Sequence, residues 1–243
     1  MLSALGWGAL AASSLVLGAV LAFARRWPAR QVGLILAFGA GALISAVSFE
    51  LAEEGFAIGG LGWTGLGLGL GAITYFALDG VISRRYAGGR GKRGREQASQ
   101  SGPALALGAF LDGVPEQLVL GIGLAAGDGI GASLMVAIFV SNLPEAIGSA
   151  VSMESEPGTS RARVLGLWAT IALICALASV VGYLSADAAS GEAQAAINGF
   201  AAGALLVMLS DSMIPDARKQ AGRYAGLLTA LGFALAAGLS SVS

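Results

Sequence analysis

The amino-acid sequence predicts an all-α, polytopic membrane protein with eight transmembrane helices and both chain termini outside the cell. Its composition is the first reason, since 56% of the residues are hydrophobic and only 12% are charged, whereas soluble domains carry about 25% charged residues. The second reason is the length of the apolar runs, which match the roughly 17 to 25 residues needed to cross a hydrocarbon core. The third is the distribution of the basic residues.

Eight apolar runs divide the chain into predicted spans that together form one transmembrane domain, residues 1–243. Few polar residues separate the last two runs, so the sequence marks their boundary least clearly. The predicted spans are 4–24, 31–53, 57–82, 103–126, 129–152, 162–185, 195–217 and 222–241.

The basic residues assign the two sides of the membrane. All 14 Lys and Arg residues fall in the first, third, fifth and seventh connections between the predicted spans or within two residues of them. These four connections share a side when eight spans alternate in direction, and short basic connections face the cytoplasm. The opposite connections contain no basic residue. The charges therefore predict an even number of spans, with both termini outside.

The third connection, residues 83–102, is the longest polar stretch of the chain and carries six basic residues. It has too few apolar residues to form a core, so we expect a disordered cytoplasmic loop. Topology explains its charge, and contact with anionic lipid adds to that explanation. No nucleic-acid partner is expected, because the loop has neither a fold nor an aromatic platform.

An internal repeat relates the second span to the seventh. Residues 38–43 (FGAGAL) resemble residues 200–205 (FAAGAL), and at the same offset Glu54 corresponds to Asp216. On the charge-derived map the two spans run in opposite directions, as in transporters built from inverted repeats. Chance similarity between two Gly/Ala-rich helices is the alternative, because low-complexity apolar segments align easily.

The fourth and fifth spans each carry a Pro-Glu pair preceded by small polar residues. Residues 112–116 read DGVPE and residues 141–145 read SNLPE. On a helix, side chains three or four positions apart share a face, and each Pro leaves the carbonyl four residues earlier without its helical partner. Carboxylates within a bilayer are costly and usually serve transport or ion binding. The sequence therefore predicts an oxygen-lined site for a divalent cation. Its candidate ligands are Asp112, Glu116, Ser141, Asn142 and Glu145.

Four further acids are candidates for an ion pathway. Glu50 and Glu54 end the second span on the outer side, while Asp211 and Asp216 approach the cytoplasmic end of the seventh. They could collect the ion at an entrance and release it at an exit. For Glu54 and Asp216, a solvated position at the end of a helix is an equally good explanation, because charged side chains extend toward water there. Asp211 is expected to lie deeper.

The tandem Pro-Glu helices resemble the ZIP (Zrt/Irt-like) metal transporters, and more closely their prokaryotic GufA-like branch. That branch reads His-Asn-X-Pro-Glu-Gly in the fourth span and a related motif in the fifth. The similarity extends over nearly the whole chain, and residues 200–217 (FAAGALLVMLSDSMIPDA) resemble the family's seventh span. The resemblance implies eight helices in a 3+2+3 arrangement with an inverted repeat. It also implies a homodimer in the inner membrane of a prokaryote.

The same resemblance implies a function. The protein is expected to move zinc, manganese or iron toward the cytoplasm by alternating access, with the ion as substrate and no resident cofactor. By position, Asp112 replaces the family's metal-binding His, Gly113 its Asn and Gln117 its Gly. The chain contains no His, so its site would consist of oxygen ligands. Such ligands suit manganese better than zinc, which favours nitrogen and sulfur. The family and the ligands thus favour different metals.

Two other classes of function compete with transport. A degenerate ZIP-like protein that senses metal, or only packs in the membrane, is compatible with the missing His. An intramembrane aspartyl protease would need a pair drawn from Asp79, Asp112 and Asp211, none of which lies in a Gly-x-Gly-Asp setting. The lack of His excludes a Ser-His-Asp triad and an H-E-x-x-H zinc hydrolase. We therefore do not expect an enzyme.

Overall fold

The computed structural model describes residues 1–86, 102–126, 130–154, 159–186 and 190–241, and within these ranges all regular secondary structure is helical. The predicted all-α class is confirmed for this part of the chain. Most of the predicted basic loop at 83–102 lies outside the described residues, so its expected disorder stays a prediction.

Helices account for nearly all of the described chain. Four of them, which correspond to the predicted first, fourth, fifth and sixth spans, begin and end within two residues of the expected positions. Two π-helical segments, Ala46–Ala52 and Leu209–Met213, interrupt longer helical stretches; we call them the first and second π-segments. The helices are α1 (Leu2–Ala24), α2 (Ala29–Ser45), α3 (Glu53–Tyr86), α4 (Gly102–Ala126), α5 (Ile130–Glu154), α6 (Arg161–Ser185), α7 (Gly191–Met208), α8 (Ile214–Ala221) and α9 (Tyr224–Ser240).

The helical segments are apolar enough for an integral membrane protein. By length and composition, four described segments qualify as candidate spans, not the eight that the sequence predicts. One candidate, Ala29–Val81, contains the predicted second and third spans, and Tyr224–Ser240 is a shorter apolar helix. The side chains of α4 and α5 are described only in part, so the fourth and fifth membrane crossings stay predictions. The four candidates are Leu2–Ala24, Ala29–Val81, Arg161–Ser185 and Gly191–Ala221.

The stretch Ala29–Val81 turns back on itself at Gly60. This residue has φ 75° and ψ 176°, a backbone conformation that only glycine adopts readily. Gly55 lies against Thr64, where an added Cβ would approach the Thr64 Cγ2 atom to 2.9 Å. In a straight helix these two residues would be about 13 Å apart. The stretch therefore has two limbs, and the chain turns at Gly60, later than the predicted boundary before residue 57.

The two limbs and the other helices pack as a bundle. α3 lies along α7 and α9 lies along α2, while α4 and α5 contact each other and are flanked by α1, α2, α6 and α7. Trp168 of α6 is fully buried, together with Leu15 of α1 and Cys175 of α6. In lipid, such interfaces are held by close packing of side chains and backbone rather than by exclusion of water.

Glycines allow the closest helix contacts, and they do so at equivalent positions of the two repeat copies. A Cβ atom at Gly203 of α7 would overlap the backbone of Leu68 on α3, and one at Gly41 of α2 would overlap the backbone of Thr229 on α9. Gly41 and Gly203 align with each other in the repeat, and the two π-segments also fall in the same aligned region. The similarity between the copies thus includes their local backbone and their packing.

The described basic residues of three connections meet at one end of the bundle. The guanidinium groups of Arg30 and Arg223 lie 4.9 and 5.3 Å from the ring centre of Tyr224. Arg161 lies 5.3 Å from the ring centre of Phe23. The first, fifth and seventh connections are therefore neighbours, as the charge distribution predicts for a shared cytoplasmic side.

Two hydrogen bonds join the first and last helices to other segments of the bundle. Ser240, at the end of α9, donates a 2.5 Å hydrogen bond to Glu50 Oε1 in the first π-segment. Near the other terminus, Ser179 of α6 donates a 2.9 Å hydrogen bond to the carbonyl of Ala4. The last helix therefore contacts the segment that leads into the second connection, and the first helix contacts the segment that leads into the sixth connection.

Candidate metal site

The Pro-Glu carboxylates of α4 and α5 are buried. Glu116 is 2% exposed and Glu145 is 4% exposed, although each lies in a helix that consists mainly of apolar residues. Both helices continue through their prolines, Pro115 and Pro144, without a break in secondary structure. A carboxylate withdrawn from water is expensive unless charge or hydrogen bonds compensate for it. The burial of this pair is therefore the main chemical feature of the bundle.

The other predicted ligands of α5 are buried beside Glu145. Ser141 and Asn142 are exposed by 1% and 3%. The Ser141 hydroxyl donates a 3.0 Å hydrogen bond to the carbonyl of Ile138, one turn earlier in the same helix. This bond leaves the lone pairs of the hydroxyl oxygen available to accept or to coordinate. The α5 portion of the predicted ligand set is thus assembled in the protein interior.

Glu145 lines a small cavity that also contains Asp216. The cavity has a volume of about 20 Å³, enough for one water molecule or one ion. Four helical stretches supply its walls, namely α2, α3, α5 and the α7–α8 stretch with its π-segment. The lining residues are Leu36, Tyr75, Glu145, Ser149, Met208, Ser212, Met213 and Asp216.

The burial of Asp216 corrects one interpretation of the sequence. This residue is only 7% exposed, so it is not the solvated end of a helix. Asp216 is the first buried residue of α8, and Ala217 and Ala221 are buried on the same helix. Arg218 and Lys219 are exposed. Ser212 lies four positions earlier and lines the same cavity. The second π-segment contains Ser212 and leads into α8, so it places both polar residues at the cavity that Glu145 lines.

The remaining pathway candidates do not join this cavity. Asp211 is exposed at the surface of the described bundle, and its expected depth in the membrane stays a prediction. Glu50 is half-buried and accepts the hydrogen bond from Ser240, and Glu54 is also half-buried. Glu50 and Glu54 lie in or just after the first π-segment, and neither is among the residues that line the cavity with Glu145.

The α4 half of the predicted site is described only in part. Glu116 is not among the residues that line the Glu145 cavity, and the side chain of Asp112 lies outside the described residues. Within the side chains that are described, no group of three or more Cys, Asp and Glu residues is placed to hold a metal ion. A joint site for Asp112, Glu116 and Glu145 therefore stays a prediction, whereas Glu145 and Asp216 do share a cavity.

Sequence reasoning missed several polar residues around the carboxylates. Ser149 lies one helical turn after Glu145, and Ser212 one turn before Asp216, so their spacing could have identified them. Tyr75 gave no such signal, because its position depends on how α3 packs.

Gln117 of α4 is a further buried polar residue that the sequence did not single out. It is 1% exposed, and within the described part of the chain neither polar atom of its amide group has a hydrogen-bond partner.

Comparison with known proteins identifies one relevant relative. No family model matches the chain. The chain is similar to a protein of Arabidopsis thaliana that is named "putative zinc transporter", with 31% identity over 210 residues. The alignment covers 84% of this chain but only 33% of the plant protein, so the chain spans about a third of the length of this curated relative.

Proposed function

We propose that this protein transports divalent metal cations across the membrane and that Glu145 binds the ion on its route. The observation that carries the proposal is the cavity shared by Glu145 and Asp216, two buried acids on different helices of an apolar bundle. Two neighbouring carboxylates in a medium of low dielectric repel each other, and a cation removes that repulsion. An ion of double positive charge matches the pair.

The relative supports the same class of function. Its printed name describes zinc transport, and the aligned region covers most of this chain. Together with the tandem Pro-Glu helices, this similarity favours membership of the ZIP family and its GufA-like branch. The plant protein is three times longer than the aligned region, so its substrate comes to this chain as a proposal only.

The proposed cargo is zinc, manganese or iron. The candidate ligands Asp112, Glu116, Ser141, Asn142 and Glu145 all offer oxygen, which suits manganese and other hard ions. Asp216 and the hydroxyl groups near it add oxygen ligands on the cytoplasmic side of this set. An oxygen-rich site without His is expected to bind zinc less tightly than a site that includes imidazole.

We further propose eight membrane crossings in a 3+2+3 arrangement with an inverted repeat. The turn at Gly60 supports it by dividing one long helical stretch into two crossings. The equivalent contacts of Gly41 and Gly203 and the equivalent π-segments support the repeat. The clustered arginines favour a cytoplasmic position for that end of the bundle, with both termini outside.

The proposed route runs inward. Glu50 and Glu54 lie toward the outer end and could attract cations, Glu116 and Glu145 would bind them between α4 and α5, and Asp216 would receive them on the side of the arginines. The protein would act as a homodimer in the inner membrane of a prokaryote. We propose transport without catalysis, and with the ion as cargo rather than as a resident cofactor.

A degenerate protein that binds metal without moving it is the second candidate, because the chain lacks the His residues of the family. Such a protein would keep the buried acids and still bind ions. The two candidates differ in one measurable quantity, the flux of metal into sealed vesicles. The aspartyl protease interpretation gains no support, since Asp211 is exposed.

Flux measurements on purified protein in vesicles test the proposal. We expect uptake of at least one ion from a panel of Mn²⁺, Zn²⁺, Fe²⁺ and Cd²⁺, followed by an indicator inside the vesicles. Glu145→Gln and Glu116→Gln should abolish uptake while the melting temperature stays close to that of the parent. Glu53→Gln is the matched control, because Glu53 is exposed at the start of α3.

Each alternative result has a defined meaning. Equal uptake by the parent and by both buried variants would refute the assignment of the Pro-Glu carboxylates. Metal binding by the parent without any uptake across the panel would favour the degenerate protein. Loss of uptake in Glu53→Gln as well would point to a general effect of removing charge.

A further inference from the structure

An open apolar groove of about 450 Å³ lies between α2, α5 and α9. Its lining side chains are only partly buried on α2 and α9, whereas Pro144 and Ile147 of α5 form its buried floor. On the transmembrane arrangement proposed above, the groove would face acyl chains rather than water. The residues that shape it include Leu34, Phe38, Leu143, Pro144, Ile147 and Leu228.

A basic and aromatic cluster lies at one end of this groove. Arg30 and Arg223 both contact the ring of Tyr224 from distances of 4.9 and 5.3 Å. Arg30 precedes Leu34 by one helical turn, and Tyr224 precedes Leu228 by one turn, so each cluster residue shares a helix face with a groove residue. The charged cluster and the apolar groove are therefore continuous along α2 and α9.

The dimensions of this surface match one leaflet of a bilayer. A Cβ atom at Gly39 would lie 3.1 Å from the Pro144 side chain, so Pro144 is level with Gly39 of α2. Gly39 lies about 13 Å along the helix from Arg30, at a rise of about 1.5 Å per residue. Half of a hydrocarbon core of about 30 Å is about 15 Å. The groove thus extends from the headgroup level almost to the midplane.

We propose that this groove binds one anionic phospholipid of the cytoplasmic leaflet. Its phosphate would lie between Arg30 and Arg223, and one acyl chain would fill the groove as far as Pro144. Arginine pairs with phosphate through several hydrogen bonds at once, and basic residues at the cytoplasmic surface attract anionic lipids. The site does not depend on metal transport, although its deep end contacts the residue next to Glu145.

The charge at the mouth of the groove argues against a second copy of this chain as the occupant. In a parallel dimer, the partner would bring its own Arg30 and Arg223 to the same membrane level. Like charges that close together are unfavourable unless an anion lies between them. A lipid phosphate removes this repulsion, and the acyl chain covers the apolar surface at the same time.

A second basic pocket provides an internal comparison. It lies at the same end of the bundle, between the first and fifth connections, and is formed by Phe23, Arg25, Arg26, Glu154 and Arg161. Here Glu154 forms a 2.6 Å ion pair with Arg161, so part of the positive charge is already compensated within the protein. This pocket lacks the apolar groove, and we expect it to retain lipid less well.

Intact-protein mass spectrometry tests the proposal directly. The full chain is reconstituted with equal amounts of dioleoyl phosphatidylglycerol and dioleoyl phosphatidylcholine, extracted in mild detergent, and its retained lipids are counted. We expect the parent to retain phosphatidylglycerol preferentially. The double variant Arg30→Ala/Arg223→Ala should retain at least about tenfold less, since each basic residue at the membrane surface contributes about 1 kcal/mol to the binding of anionic lipid. Arg25→Ala/Arg26→Ala should lower the retention much less, because the groove for the acyl chain lies beside Arg30 and Arg223 instead.

A second pair of variants tests the groove itself. Leu228→Trp should fill it and displace the lipid, whereas Leu227→Trp should not, because Leu227 is 68% exposed on the outer face of the same helix. Excess inorganic phosphate should leave the bound lipid in place, since it offers no acyl chain. Displacement by inorganic phosphate would mean that the arginines bind a free anion and would overturn the proposal.

Three further outcomes would also overturn it. The first is equal retention by the parent and Arg30→Ala/Arg223→Ala, and the second is an equal loss in the Arg25→Ala/Arg26→Ala control. The third is a change in the proportion of dimer in Leu228→Trp with unchanged lipid retention, which would make the groove an interface between copies. The arginine variants decide the question even if Leu228→Trp does not fold, because all four arginines are exposed.

Discussion

The two copies of the internal repeat have the same backbone pattern but place their acids differently. In the second copy, Asp216 follows the second π-segment and is buried in a cavity with Glu145. In the first copy, the equivalent Glu54 follows the first π-segment and is only half-buried. The first copy instead directs Glu50 toward Ser240 at the end of α9. Equivalent helices thus give one enclosed acid and one acid that solvent can reach.

This difference has a functional meaning if the copies form an inverted repeat. Transporters of that kind open alternately to the two sides around a central site. On the proposed orientation, a buried Asp216 and a more accessible Glu54 would be features of a state that is open outward. Inward opening would then hydrate Asp216 and enclose Glu54.

The largest expected effect separates Asp216 from its neighbour Asp211. Asp216→Asn removes a charge from the cavity that contains Glu145, and hydrogen bonds or ion contacts of buried charges contribute about 1.5–3 kcal/mol. We expect metal uptake into vesicles to fall at least tenfold. Asp211→Asn should leave uptake within about twofold of the parent, because Asp211 is exposed.

A larger loss of uptake in Asp211→Asn than in Asp216→Asn would contradict the proposed role of the cavity. If Asp211→Asn reduced uptake and Asp216→Asn did not, the ion would pass outside the cavity. Measuring Glu54→Gln in the same assay sharpens the test, since a loss in Glu54→Gln comparable with that in Asp216→Asn would give both copies equal roles.

The sequence predicts much of this arrangement. Apolar runs located α1, α4, α5 and α6 closely, because the length of a span follows from the thickness of the bilayer. The position of the Pro-Glu pairs within apolar runs predicted buried carboxylates, because charged residues in such runs usually serve transport or ion binding. These predictions depend on local composition alone, and the described helices confirm their positions.

Features set by packing could not be predicted in this way. Hydropathy treats Asp216 as the end of a span because Arg218 follows it, yet the inward face of α8 buries it. Nothing in the composition of the stretch Ala29–Val81 distinguishes Gly60 from the glycines near it. The turn was therefore expected several residues too early. The π-segments likewise depend on contacts between helices rather than on local propensity.

The next effect tests whether the copies pack equivalently. Gly203→Ala and Gly41→Ala each place a Cβ against the backbone of a neighbouring helix, and overpacking of this kind costs about 1–3 kcal/mol. We expect both variants to lower the free energy of unfolding by similar amounts. Gly65→Ala is the matched control, because within the described chain no atom beyond its own helical turn lies within 4 Å of the added Cβ.

The control should be neutral or slightly stabilising, since alanine favours helix over glycine by up to about 1 kcal/mol. Denaturant titration in detergent measures all three variants. Destabilisation by Gly203→Ala alone would mean that the α2–α9 contact yields more easily than the α3–α7 contact, and the packing symmetry would be limited to the backbone.

The smallest effect concerns the bond that only the first copy makes. Ser240→Ala removes the hydrogen bond to Glu50, and because Glu50 is half-buried we expect a loss of about 1 kcal/mol in the free energy of unfolding. Ser241→Ala is the control, since the Ser241 hydroxyl donates a hydrogen bond to the carbonyl of Gly238, three residues earlier in the chain. A thermal melt of each variant measures the difference. Equal melting temperatures for Ser240→Ala and Ser241→Ala would show that Glu50 gains nothing from α9, and the two copies would then differ only in the burial of Asp216.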